Sequence, residues 1–199
     1  MAAGRICTGF SKPYVAKLSE GNIGGVWVHT YNTGQQLARG VSVSIEPESS
    51  DDNEFFADNG MGESDGTRFT GGDLSLTVDG LDRNVEQFLM GVPSNGHWIT
   101  YSDTQNVPFV GVGFIARYQS DGVTIYVPIT LTKCQFNQIN TSAETQEDQI
   151  SWQTQELTAK IRKLNGSGIW KRVGKDCATE EEAENIIRGW FELQPLEEA

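Results

Sequence analysis

The groups in this chain that could carry chemistry are His29 and His97, the cysteines Cys7, Cys134 and Cys177, and a run of acids formed by Asp51, Asp52, Glu54, Asp58, Glu63 and Asp65. Nucleophilic catalysis needs a Ser, Cys or Thr supported by a base, and imidazole is the commonest one. His29 lies between Val28 and Thr30 in an alternating run, and His97 follows a turn and precedes Trp98. Neither sits in a diagnostic motif, so both read as structural histidines. The cysteines are odd in number and far apart, with no CxxC spacing. That pattern fits buried or idle thiols in a reducing compartment better than zinc or a disulfide. A calcium loop needs oxygen ligands at alternate positions, a central Gly and a terminal Glu, and the acidic run offers no such register. Gly71-Gly72 and Gly111-Val112-Gly113 have neither dinucleotide nor P-loop spacing and read as strand glycines at points of close approach. No catalytic residue, cofactor or metal is expected.

The elements that would position these groups alternate with a period of two. Val41, Val43 and Ile45 alternate with Ser42, Ser44 and Glu46, and Leu74, Leu76 and Val78 with Asp73, Ser75 and Thr77. Each such strand has one face in a core and one in water. Val26, Val28 and Thr30 set an earlier strand, with turns at Thr33-Gly34 and Arg39-Gly40, so that strand and the one from Val41 are candidates to pair as neighbours. Trp98, Ile99 and Tyr101 start another. Val110 to Tyr118 and Val123 to Leu131 flank Asp121-Gly122, a strong hairpin signal, and Pro128 predicts an edge or a bulge in the return strand. A phase change near Gln155 suggests a bulge in a strand running from Ile150 to Ile161, and Ile169 to Val173 reads as a short last strand.

Two helices are expected. Asp82 can cap one that buries Val85, Phe88 and Leu89 and stops at Gly91. Thr179 with Glu182 forms a capping box for a C-terminal helix over about 180–191, with Ala183, Ile186, Ile187 and Trp190 as its apolar face. Residues 1–22 carry scattered glycines and Pro13, and read as an N-terminal arm. The whole predicts one mainly β domain over 1–199, an antiparallel sandwich or barrel with a flanking helix and a terminal one.

Between the two best strands lies a segment over 47–72, far longer than the roughly 2–6 residues that usually join elements. It is acidic, yet Phe55 and Phe56 sit side by side within it and Phe69 stands beside Arg68 near its end. Exposed aromatics on a long loop point to a partner surface. The net charge of −12, from 27 acids against 15 bases, argues against affinity built on phosphate neutralisation. No stretch approaches the roughly 20 apolar residues of a membrane span, and no signal peptide is evident.

The strand Val41 to Glu46 with Pro47, the acidic aromatic insert around Phe55-Phe56-Ala57-Asp58, the block Phe69 to Val78, the helix Leu81 to Met90 with Gly91, Gly111 to Phe114, the Asp121-Gly122 hairpin, the strand near Trp152 to Thr154 and the terminal Thr179 to Ala183 helix follow one another along the chain. In that order and spacing the chain resembles the major tail proteins of long-tailed, non-contractile bacteriophages. The resemblance implies a non-enzymatic virion protein, a β sandwich whose copies close into six-membered rings through their sheets. Rings of this kind stack around the tape measure protein, with tail terminator and distal tail proteins as further partners. The tube is assembled in the host cytoplasm, without membrane insertion, and DNA leaves through its lumen. It also gives the long loop a role in subunit contact, with Phe55, Phe56 and Phe69 as anchors, Arg68 beside them and the acids as a polar rim. The competing expectation is a carbohydrate-binding or adhesin-like β module, with Trp27, Tyr31, Trp98, Tyr101 and Tyr118 as possible sugar-stacking rings.

Overall fold

The computed structural model describes residues 4–51, 54–57, 60–64, 66–143, 145 and 153–194, with backbone alone for 54–57 and 60–64. Its elements run β1 (Ile6–Ile23), β2 (Val26–Gln36), β3 (Gly40–Ser49), β4 (Glu54–Ala57), β5 (Gly60–Ser64), β6 (Phe69–Val78), α1 (Arg83–Met90), β7 (Val110–Ser120), β8 (Val123–Phe136), β9 (Gln155–Arg162), β10 (Lys171–Val173) and α2 (Glu180–Trp190). The protein is mainly β. One eight-stranded antiparallel sheet has the order β2-β1-β7-β8-β9-β6-β3, with β10 beside β8, and β4 and β5 form a separate two-stranded sheet.

The turn chemistry sits where the residue types demand it. Asp121 and Gly122 both take positive φ, 49° and 80°, as a two-residue hairpin loop requires, and Ser120 then faces Val123 across the β7–β8 ladder. At α1 the Asp82 carboxylate accepts the Asn84 N–H at 2.8 Å, and Gly91 closes the helix at φ 64°. Asp82→Ala leaves that N–H to water and should cost about 1 kcal/mol, read as a lower urea midpoint with an unchanged slope.

Two apolar layers follow from the alternation along β7. Val112 and Phe114 point into the curled sheet, where Leu74, Leu76, Leu131, Leu157 and Ile161 are buried and α1 closes one end with Leu89 and Met90. Ile115 points the other way, under α2, which packs Ala183, Ile187 and Phe191 against Tyr14, Ala16 and Tyr31. The curl brings β3 against β1. Phe10, Val43 and Ile45 all pack on the cluster of Phe114, Ala116, Val127 and Ile129; Phe10 meets Phe114 edge-on at 5.4 Å and lies so close over Gly40 that a Cβ there would stand 2.0 Å from its ring.

Several expectations need correction. Residues 6–23 are not an arm but β1, an interior strand paired to β2 and β7. β2 and β3 do not pair with each other, since β2 joins β1 and β3 joins β6. The segment from Trp98 forms no strand; a single bridge joins Ser94 to Ile99. The loop over 47–72 is shorter than its sequence suggests, because Pro47 pairs with Gly72 and Ser49 with Phe69 before the chain departs. Pro128 is not on an edge, as β8 is flanked by β7 and by β9 and β10. The bulge reading holds on the partner strand: Tyr126 to Ile129 is three steps, while the facing Cys177 to Val173 is four. Half of the capping box forms. Thr179 accepts the Glu182 N–H at 3.2 Å, but the Glu182 carboxylate turns to Lys175 at 2.5 Å. Ile150 and Trp152 lie outside the described residues.

Candidate assembly interface

Of the groups whose types could carry chemistry, His29, Cys134 and Cys177 are built into the scaffold, and His97 and Cys7 are exposed. His29 Nε2 lies 2.9 Å from the Asn165 carbonyl and 3.5 Å from the Glu20 carboxylate. Glu20 also accepts Asn165 N–H and Nδ2–H at 3.0 and 3.1 Å and pairs with Lys133, which is itself buried. This network fastens the β1–β2 hairpin to the turn over 164–168. Trp27 completes the joint by lying against Gly166, where a Cβ would come within 2.5 Å of the indole. His97 is exposed in the turn over 94–98, its backbone N–H held by Asn95 Oδ1 at 3.1 Å. Cys134 and Cys177 are buried free thiols whose titration is pushed upward, first by desolvation, and Cys7 is an exposed free thiol.

The expected interface loop has a pinned root. Ser50 N–H donates to the Arg68 carbonyl at 2.8 Å, and Arg68 N–H donates to Ser50 Oγ at 3.0 Å. Beyond it β4 and β5 make a small hairpin that sets Phe55 opposite Glu63 and Phe56 opposite Met61. The side chains of Phe55 and Phe56 fall outside the described residues, as does most of the acidic run. Arg68 is exposed at the root. Phe69 is placed differently from a loop anchor: it opens β6, half-buried, and its ring stacks on Trp170 at 4.2 Å with 4° between the planes. The stack joins the loop root to the segment leading into β10.

The structure adds surface residues that alternation alone did not assign to an interface. The sheet ends in β2 on one side and β3 on the other. At the β1–β2 tip Gly24 and Gly25 take positive φ, and the residues flanking them, Ile23 and Val26, are 72% and 65% exposed. Val28 on β2 and Val41 on β3 are exposed as well. A sequence signal for the tip existed in the Gly-Gly pair between apolar residues. It stayed hidden because β1 was not read as a strand.

A second exposed feature lies beside α1. Trp98 is 72% exposed yet held by a tightly bonded turn: Asn95 Oδ1 accepts the Trp98 N–H at 2.8 Å, and Arg83 Nη1 donates to the Gly96 carbonyl at 2.9 Å. Tyr101, 43% exposed, donates to the Glu86 carboxylate at 2.5 Å, and desolvation followed by that bond pushes its phenol up to about 12. Of the five aromatics considered as a platform, Tyr31 is buried, Tyr118 is half-buried, and Trp27, 40% exposed, lies against Gly166; Trp98 and Tyr101 are an exposed pair on one loop. No protein-family model matches the chain, and no curated protein matches it.

Proposed function

We propose that this chain is a structural subunit of the tail tube of a long-tailed, non-contractile bacteriophage. Copies assemble into six-membered rings, the rings stack around the tape measure protein, and DNA passes through the tube during ejection. The observation that carries the reading is the sheet with two unlike ends, β2 and β3, each presenting exposed apolar side chains. Unpaired strand edges of this kind invite another chain, and joining one end to the other of the next copy is a heterologous contact that generates a ring when the rotation closes. The net charge of −12 suits a conduit for nucleic acid, because negative walls repel phosphate and leave no counterion-release term to hold it.

Electron microscopy of negatively stained protein across a concentration series tests this directly. Rings or tubes are expected, and a monomer at every concentration overturns the reading. Replacing Phe55 and Phe56 together by Ser should shorten or abolish tubes while leaving the sheet folded. Unchanged tubes would remove the loop from the contact.

A carbohydrate-binding module is the second reading, favoured by the exposed pair Trp98 and Tyr101 on a single loop. Glycan binding by a stable monomer, lost in Trp98→Ala, would replace the first reading with this one.

A further inference from the structure

The dipeptide Asn-Gly occurs at Asn59, Asn95 and Asn165, the first of them outside the described residues. In this pair the glycine nitrogen can attack the side-chain amide before it, since no Cβ stands in its path. Asn95 and Asn165 sit in opposite surroundings. Asn95 Oδ1 accepts the His97 N–H at 3.1 Å and the Trp98 N–H at 2.8 Å. The Gly96 N–H donates to Ser94 Oγ at 3.3 Å, while Arg83 donates from Nη1 to the Gly96 carbonyl at 2.9 Å and from Nη2 to Ser94 Oγ at 3.3 Å. Residues Ser94 to Trp98 are all exposed to water. At Asn165 the side-chain and backbone N–H groups instead donate to the Glu20 carboxylate, at 3.1 and 3.0 Å, and Oδ1 accepts nothing among the described residues. Trp27 lies against Gly166 there.

We infer that the turn over 94–98 is a self-modification site, at which Asn95 loses its side-chain nitrogen as ammonia. Gly96 N forms a bond to Asn95 Cγ while its proton passes through Ser94 Oγ to water. The Cγ–Nδ2 bond then breaks, water supplies the proton that ammonia carries away, and a cyclic succinimide remains. Water opens that ring at either carbonyl, giving an aspartyl residue or an isoaspartyl residue whose main chain runs through Cγ. Negative charge develops on Oδ1 during the attack, where the His97 and Trp98 N–H groups already point. Hydrogen bonds to an atom that becomes an oxyanion are worth more in the transition state than before it. The Arg83 guanidinium, bonded to the Gly96 carbonyl and to Ser94, favours loss of the Gly96 amide proton. Glu20 acts the other way at Asn165, because a carboxylate beside the amide opposes a second negative charge. Either product places a carboxylate near Arg83, and the isoaspartyl form adds a carbon to the main chain that presents Trp98. The inference stands apart from the assembly reading, since every group in it belongs to one copy.

Ageing the folded full chain at pH 8 in heavy-oxygen water, followed by peptide mapping with mass spectrometry, tests the site. The peptide holding Asn95 should take up heavy oxygen about tenfold faster than the peptide holding Asn165 from the same molecules. In chain unfolded by urea the two rates should converge, because the neighbours that separate them are gone. Arg83→Gln should slow the reaction at Asn95 about threefold and leave Asn165 unchanged. An Asn95 that stays intact, a rate there no greater than at Asn165, or a tenfold gap that survives in urea overturns the inference. So does a rate at Asn95 that fails to fall in Arg83→Gln.

Discussion

Glu184→Ala should destabilise the fold by about 3 kcal/mol, seen as a melting temperature lowered by roughly 6–12 °C. Glu184 lies on α2 with 2% of its surface exposed, where an unpaired carboxylate would be untenable. Three groups make it tolerable. The buried Tyr14 hydroxyl donates to it at 2.5 Å, the Lys12 ammonium pairs with it, and Arg188 in turn donates to Tyr14 Oη at 3.2 Å. Removing the carboxylate strips the Tyr14 hydroxyl of its acceptor and leaves Lys12 without its partner. Lys12 is 36% exposed and can turn to water, which places the cost at the low end of the range for broken buried pairs. Glu184→Gln keeps an acceptor for Tyr14 and should cost well under half as much. The hydrogen bond to Glu184 raises the Lys12 amine above its ordinary 10.5, so the pair's contribution is complete below pH 10.5 and fades as pH rises through the elevated value. Urea titrations of wild type and Glu184→Gln at pH 8 and above pH 11 check this: the gap between them should narrow at the higher pH, and a gap that widens would contradict it.

Gly113→Val should cost about 3 kcal/mol for the opposite reason, excess volume rather than a missing charge. A Cβ at Gly113 would stand 2.7 Å from Ile187 Cγ2 and 2.9 Å from the Phe191 ring, and one at Gly111 would stand 2.6 Å from the Tyr31 ring. These two glycines make β7 flat on the side where α2 lies. Ile187 and Phe191 are almost wholly buried there and cannot yield without lifting the helix. The substitution should therefore raise amide exchange throughout α2 while β7 and β8 stay protected. Equal loss of protection in sheet and helix would show that the glycines seat more than α2.

The parts of the fold that are legible in the sequence are those with one wet face and one dry one, or with chemical signatures at fixed offsets. β3 and β6 alternate because one face is the wetter, whereas β7 and β8, buried on both faces over 110–116 and 127–134, are legible through the Asp121-Gly122 turn that joins them; the caps of α1 and α2 are signatures of the same local kind. β1 was illegible because its environment removes the pattern. Tyr14, Val15 and Ala16 are all buried, the outer face by α2 and the inner by the core, so no alternation survives. Two shifts in its pairing with β7 further break the period, and the second, between Ser11 and Tyr14, is where Pro13 avoids a ladder bond it could not make. Trp98 misled in the other direction, since a strand-like run of Trp, Ile and Tyr is here a turn with its indole in solvent. Of the candidate site, the loop is legible from length and composition. The Phe69–Trp170 stack is not, because it depends on segments about 100 residues apart that only tertiary structure brings together.

The seam where the sheet curls back on itself has a mechanical consequence. Phe10 lies over Gly40, and β1 and β3 share no ladder there. Dispersion and hydrophobic contact are non-directional, so the Phe10 contact itself holds no hydrogen bond to break, and the chain just before β3 is tied to β1 by the Leu37 N–H to the Pro13 carbonyl at 2.8 Å. The closed side, from β1 through β9 to β6, is stiff with backbone ladders, whereas the seam is a compliant joint. A chain folded this way can absorb shear along one line while the rest of its sheet keeps its shape.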